Sequence, residues 1–275
     1  MLRVKLPAGE TVPALGQGTW QMGERGSRKD EAAALRLGIE LGMTLIDTAE
    51  MYASGGAEEV VADAAAGQRD SLFIVSKVMP GNASRKGTVA ACERSLKRLQ
   101  TDRIDLYLLH WPSHHPIADT VAAFEELRAA GKIRHWGVSN FDVAEMQEML
   151  AVPGGTHCQS NQVLYNLTRR GIEHDLLPWS SEHKIPIMSY SPIEQGRLAR
   201  NRGLEAIAKA HGATPAQIAL KFTLDQGTIS IPKASSAAHV RENNAALEIT
   251  LSDEDRAALD AAFPPPRRKQ PLDMI

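Results

Sequence analysis

Four ionisable side chains stand where apolar runs give out. Leu45-Ile46 leads into Asp47, with Tyr52 one loop later. Leu72-Phe73-Ile74-Val75-Ser76 leads into Lys77, and Ile104-Asp105-Leu106-Tyr107-Leu108-Leu109 into His110-Trp111-Pro112. Such runs read as buried strands whose polar exits sit on the rim of a core. Taken singly, Asp47 and Lys77 read as ordinary rim residues. Together the four describe a proton-transfer site. A tyrosine hydroxyl, with an ordinary pKa near ~10, is a reluctant acid or base at neutral pH. A buried ammonium beside it favours the phenolate and lowers that value. Lys77 needs a carboxylate if it is to stay charged inside a protein, and Asp47 can supply it. A neutral His110 imidazole would then donate to a substrate oxygen and fix its orientation.

The elements that must position these groups alternate strand with helix. Val4-Lys5-Leu6, Pro7-Ala8-Gly9-Glu10 and Thr11-Val12 spell a small hairpin. A first strand is expected near 15–20. Ser27 and Asp30 then open a helix that stops at Gly42. The Asp47 strand is followed by a helix through Val60, Val61 and Ala64, the Lys77 strand by one through Cys92, Leu96 and Leu99. The His110 strand is followed by one through Val121, Phe124 and Leu127. His135–Asn140 makes a further strand, and Asp142 with Glu145 a capping box for the next helix. Later strands fall at 160–164, 185–190 and 228–232, with a helix over 172–183 strained at Pro178. Thr214-Pro215 with Gln217 opens another helix, one more lies around Val240, and Ser252 caps the last. Eight strands, each followed by a helix, predict one (β/α)8 TIM barrel over residues 1–275 with an N-terminal β-hairpin.

Composition narrows the function classes. A chain of 275 residues, 43% hydrophobic and 23% charged, suits a soluble barrel with a sizeable core. A formal charge of −2 and a pI near 6.5 give no electrostatic case for nucleic acid or an anionic membrane as partner. No signal-peptide pattern or membrane-spanning run is found. Cys92 and Cys158 stand apart as free thiols, which suits a reducing cytoplasm. A cytoplasmic monomer acting on a small molecule is the expectation. No metal is expected, since the adjacent His114 and His115 do not share a helix face as ligands would. Gly16-Gln17-Gly18-Thr19-Trp20-Gln21 fails as a dinucleotide fingerprint, because Gln21 stands where the third glycine belongs.

Read together, the motifs resemble the aldo-keto reductases: Asp47-Thr48-Ala49-Glu50-Met51-Tyr52, Val75-Ser76-Lys77, Leu108-Leu109-His110-Trp111-Pro112, Gly137-Val138-Ser139-Asn140-Phe141, Asn161-Gln162-Val163 and Ile231-Pro232-Lys233, in order along the chain. Within that family the chain looks most like bacterial methylglyoxal reductases. The resemblance implies that Tyr52 is the proton donor of a tetrad with Asp47, Lys77 and His110. It also implies NADPH lying extended across the barrel mouth without a Rossmann fold. By the same resemblance Ser139, Asn140 and Gln162 would meet the carboxamide, Tyr190 would stack on the nicotinamide ring, and Lys233 would meet the 2′-phosphate. Gly18, Thr19, Trp20, Ser191, Ser235, His239 and Asn243 complete the implied cofactor set, and Trp20 and Trp111 wall the substrate pocket.

Three departures from the family pattern matter. The family usually carries arginine where this chain has His239, and histidine as a residue type is charged only near or below ~6.5. Ala234 replaces a common hydroxyl residue. The loop after His110 and the C-terminal segment are short, which implies an open pocket for a small carbonyl substrate. The cluster Arg197, Arg200 and Arg202 reads equally as a pyrophosphate cover or a solvated basic loop. The reading is an NADPH-dependent reductase of small aldehydes and 2-oxoaldehydes. A cofactor-sensing regulatory barrel with little turnover, or an NADH-using alcohol oxidoreductase, is the alternative.

Overall fold

The computed structural model describes residues 2–275, with side chains at all of these but Ala199 and Arg200. A hairpin, β1 (Arg3–Lys5) and β2 (Thr11–Pro13), precedes an eight-stranded sheet. That sheet runs β3 (Gln17–Gly18), β4 (Leu45–Asp47), β5 (Phe73–Val78), β6 (Ile104–Leu109), β7 (Ile133–Ser139), β8 (Cys158–Leu164), β9 (Ile187–Tyr190) and β10 (Ile229–Ser230), every neighbouring pair parallel. The ring closes through parallel bridges Leu15–Ser230 and Gly18–Lys233, and Gly18 N–H donates to Pro232 O at 3.1 Å. A Cβ on Gly18 would stand 2.7 Å from Ile231 O, so this glycine is required by barrel closure rather than by a phosphate. The expected first strand is thereby shortened to two residues and bridges.

Between the strands run α1 (Arg28–Glu40), α2 (Gly56–Ala65), α3 (Arg85–Leu99), α4 (Ile117–Ala129), α5 (Val143–Ala151) and α6 (Leu176–Glu182). After β9 come α7 (Arg202–Ala210), α8 (Pro215–Asp225), α9 (Ala237–Ala245) and α10 (Asp253–Ala262). The side chains of Ser27, Asp142, Thr214 and Ser252 cap their helices as the sequence predicts. Two expectations change. The helix over 172–183 is a 3₁₀ turn at Gly171–Glu173 and then α6, capped by Asp175. Pro178 falls in the first turn of α6, where an N–H has no intrahelical acceptor, so the proline causes no break. The segment carrying Arg202 is not a loop but the start of α7; the side chain of Arg200 lies outside the described residues.

The apolar residues sort into two layers. Val60, Val61, Leu96, Phe124, Trp136 and Met146 belong to the layer between helices and strands. Leu45, Phe73, Val75, Leu106, Leu108 and Ile229 fill the barrel interior, together with Leu6 and Val12 of the hairpin. Leu45, Phe73 and Ile229 are the first residues of their strands, so the hairpin plugs the N-terminal end and leaves the C-terminal ends open for a site. No helix among the described residues is long and apolar enough to cross a membrane.

Candidate active site

At the C-terminal ends of the strands lies a cavity of about 560 Å³, lined among others by Asp47, Tyr52, His110 and Trp111. Lys77 is wholly buried behind them. Its Nζ donates to Asp47 Oδ2 at 2.8 Å, Thr48 O at 2.9 Å and Tyr52 Oη at 3.2 Å, which uses all of the ammonium's protons. Asp47 Oδ1 accepts in turn from Gln162 Nε2 at 2.7 Å. Tyr52 sits at the start of a tight turn, Tyr52–Gly55, between β4 and α2. The His110 ring meets the Tyr52 ring edge-on with centroids 5.7 Å apart. Its Nδ1 is buried and has no partner among the described residues.

Burial dominates the electrostatics. It works against the Lys77 ammonium, but Asp47 and Tyr52 more than offset it, and Lys77 holds its proton more tightly than an ordinary lysine. Burial and Lys77 push His110 down to about 2, so its imidazole is neutral across the physiological range. Tyr52 departs from the sequence expectation. Burial raises the phenol above its ordinary value, Lys77 pulls it down, Asp47 raises it again, and the sum is upward. The lysine acts in the expected direction, but withdrawing a phenolate from water costs more than one ammonium returns. Tyr52 therefore waits as the protonated phenol.

The same cavity is also lined by Lys233, His239 and Asn243, with Lys233 Nζ donating to Ser235 Oγ at 3.3 Å. Gly18, Trp20, Ser139, Asn140, Gln162, Tyr190 and Ser191 also line it. Several are already engaged. Ser139 Oγ donates to Gln162 O at 2.8 Å, and Asn140 Nδ2 to His110 O at 3.0 Å, while Tyr190 Oη donates to Asn140 Oδ1 at 3.0 Å. With Gln162 Nε2 spent on Asp47, its Oε1 remains to accept from a ligand amide. Asn140 (φ 58°) and Ser191 (φ 48°) hold left-handed backbone at two strand exits.

Thr19 does not join the set. Its side chain is wholly buried, and both its N–H and its hydroxyl donate to Asp47 O at 3.0 Å, so it fixes β4 rather than facing the cavity. Ser235 is off the lining and reaches the site only through Lys233.

Met51, Glu242, Met274 and Ile275 line the cavity and were not foreseen. Met51 adjoins Tyr52 in the motif, and Glu242 lies one helical turn beyond His239, so proximity in sequence could have flagged both. The C-terminal segment is the larger surprise. Lys269 Nζ pairs with Asp142 at 2.9 Å and Asp175 at 3.0 Å, Leu272 packs on the core, and the last residues reach the mouth. The segment is short but not a loose tail, and the pocket is less open than its length implied. Arg197 lies 3.7 Å from Glu194 rather than standing as free charge. No group of three metal-ligating side chains comes together among the described residues.

Comparison with known proteins places this geometry. The model of the aldo/keto reductase family matches residues 14–263. Methylglyoxal reductase YeaE of Escherichia coli (strain K12) is 54% identical over 272 residues, 96% of each chain. Glyoxal reductase of Bacillus subtilis (strain 168) is 35% identical over 258 residues, 94% of this chain and 91% of that one. An aldo/keto reductase from Klebsiella pneumoniae, solved in complex with NADP and acetate, superposes with a TM-score of 0.97 at 51% identity and 99% coverage of both chains. A family match spanning most of the barrel, joined to relatives this similar along nearly their whole length, establishes that the chain belongs to the aldo/keto reductase family.

Proposed function

We propose that the protein is an NADPH-dependent reductase of small aldehydes and 2-oxoaldehydes such as methylglyoxal, with Tyr52 as proton donor. The observation that carries the reading is the direction of the hydrogen bonds at Tyr52. Lys77 donates to the phenol oxygen, and that oxygen donates to no protein acceptor among the described residues. The phenol proton is thus left for an oxygen in the cavity. Once it moves, the phenolate sits beside an ammonium that Asp47 keeps charged. His110, neutral and against the Tyr52 ring, would donate to the same oxygen and orient it.

The donor set fits NADPH. Lys233 and His239 offer nitrogen donors for a phosphate, Tyr190 an aromatic ring for the nicotinamide, and Gln162 Oε1 an acceptor for a carboxamide. When bound, the reduced nicotinamide supplies the hydride; the chain supplies the proton, the orientation and a site partly withdrawn from water. The cavity is lined by residues from Gly18 to Ile275 around one barrel mouth, and both thiols are buried. These features support reading residues 1–275 as a single barrel unit that works as a cytoplasmic monomer.

The substrate claim has a direct test. Trp20, Met51, Trp111, Met274 and Ile275 crowd the mouth with apolar surface. Methylglyoxal and small aromatic aldehydes should show kcat/KM at least roughly ten-fold above that for ketosteroids, with weak discrimination among the small substrates. Equal efficiency on a steroid in a spectrophotometric assay with NADPH would sink the claim.

His239 lines the cavity with Lys233, at the position where the family usually carries arginine. A guanidinium grips a phosphate bidentately, whereas an imidazole offers a single contact. Preference for NADPH over NADH should therefore rise about ten-fold in His239→Arg and fall in His239→Ala. Superimposable Kd values of the parent and His239→Ala for both cofactors would remove His239 from the phosphate site.

A further inference from the structure

We infer that Glu58 and Arg98 are positioning residues for proton transfer: an ion-paired brace that holds the Tyr52 turn and the Lys77 strand at one spacing. The inference rests on the reading of Tyr52 as proton donor. Glu58, on α2, is wholly buried yet does not line the cavity. Its Oε1 accepts from Ser76 Oγ at 2.6 Å and its Oε2 from Arg98 Nε at 2.5 Å. Ser76 immediately precedes Lys77 on β5. Alternation along a strand sends Lys77 into the barrel and Ser76 out toward the helices, so the anchor at Ser76 fixes where along β5 the lysine stands.

The other arm of the brace reaches Tyr52. Arg98, on α3, also donates to Ser95 Oγ at 3.2 Å, and its stem lies against Gly55, the last residue of the Tyr52 turn. A Cβ on Gly55 would run into Arg98 Cδ and stand 2.5 Å from its Nε. Arg98 cannot swing clear without leaving Glu58. Ala53 (φ 51°), Ser54 (φ 53°) and Gly55 (φ 96°) are successive left-handed residues. Such backbone is strained for a non-glycine residue and persists only where the surroundings over-determine it. Glu58 and Arg98 provide those surroundings. Arg98 keeps 21% of its side chain exposed while Glu58 is wholly buried, and such a pair is a modest stabiliser compared with apolar packing, which points to geometry as the reason for placing one here. The distance at stake is Lys77 Nζ to Tyr52 Oη, at 3.2 Å the loosest of the three contacts that lysine makes.

The test measures kcat per NADPH-binding site, KM for methylglyoxal and Kd for NADPH in Glu58→Gln, Gly55→Ala, Ser76→Ala and Arg98→Lys. Tyr52→Phe serves as reference. Counting binding sites removes any unfolded fraction from kcat. Glu58→Gln and Gly55→Ala should lose roughly 10–100-fold in kcat per site, with KM and Kd changed less than about three-fold, as a misplacement of an ångström or less would give. Arg98→Lys, which keeps a charge for Glu58 and an aliphatic stem but loses the guanidinium that joins Glu58, Ser95 and Gly55, should fall between them and the parent. If Glu58→Gln does not fold, Gly55→Ala and Ser76→Ala decide. Values of kcat per site within about two-fold of the parent, with Tyr52→Phe inactive, would reduce the brace to a stabilising ion pair. Parallel loss of NADPH binding would likewise overturn the inference, whereas an active Tyr52→Phe would overturn the proton-donor reading instead.

Discussion

Tyr52→Phe should lower kcat for carbonyl reduction by roughly 10²–10⁴-fold while leaving NADPH affinity within about two-fold. The substitution keeps the ring that packs against His110 and removes only the hydroxyl. What is lost is a hydroxyl whose proton points to no protein acceptor among the described residues and whose conjugate base would lie beside Lys77. Burial holds the phenol above its ordinary value, so the donor form persists through the neutral range and no alkaline loss of activity below pH ~9 should trace to Tyr52 in the free enzyme. Lys77 loses one acceptor in the variant and keeps Asp47 and Thr48, so the fold should survive with a stability change of about 1–3 kcal/mol. Stopped-flow or steady-state assays with methylglyoxal, beside fluorescence titration of NADPH, separate the two quantities. Turnover within about ten-fold of the parent would place the proton donor elsewhere.

Much of this site was legible because its members end apolar runs. A buried strand of a parallel barrel shows as unbroken Leu, Ile and Val, so the polar residue that stops it is conspicuous, as at Asp47, Lys77 and His110. Helix starts were legible for a similar reason: Ser27, Asp142, Thr214 and Ser252 each announce a cap in the local sequence. What failed to show depends on contacts far apart in the chain. The family resemblance put Thr19 in the cofactor set, but its orientation follows from pairing with Asp47 across the sheet, which no local pattern encodes. The C-terminal segment has no periodicity and several charges, the marks of a free tail. Its course is set by Lys269 finding Asp142 and Asp175 on other elements. The net direction of the Tyr52 shift was missed because proximity to a lysine can be guessed from sequence, whereas the depth of burial that outweighs it cannot.

The Asp47–Lys77 pair separates catalysis from stability, because the two should respond oppositely to a second substitution. Lys77→Met leaves Asp47 buried with Gln162 Nε2 as its remaining side-chain partner. Stranding one member of a buried pair costs about 3–5 kcal/mol, which lowers Tm on the order of 10 °C for a chain of this size. Activity should fall by at least roughly 100-fold as well, since the phenolate left after proton transfer loses its ammonium and faces Asp47 instead. Adding Asp47→Asn removes the stranded charge. The double variant buries only neutral groups, and replacing a buried ion pair by neutral side chains is often close to neutral for stability. Tm should therefore climb back most of the way, while kcat stays at the level of Lys77→Met. Thermal unfolding and turnover measured on the parent, both single variants and the double variant make the comparison. Recovery of activity along with Tm would mean that Lys77 serves the fold alone and that Tyr52 needs no ammonium beside it.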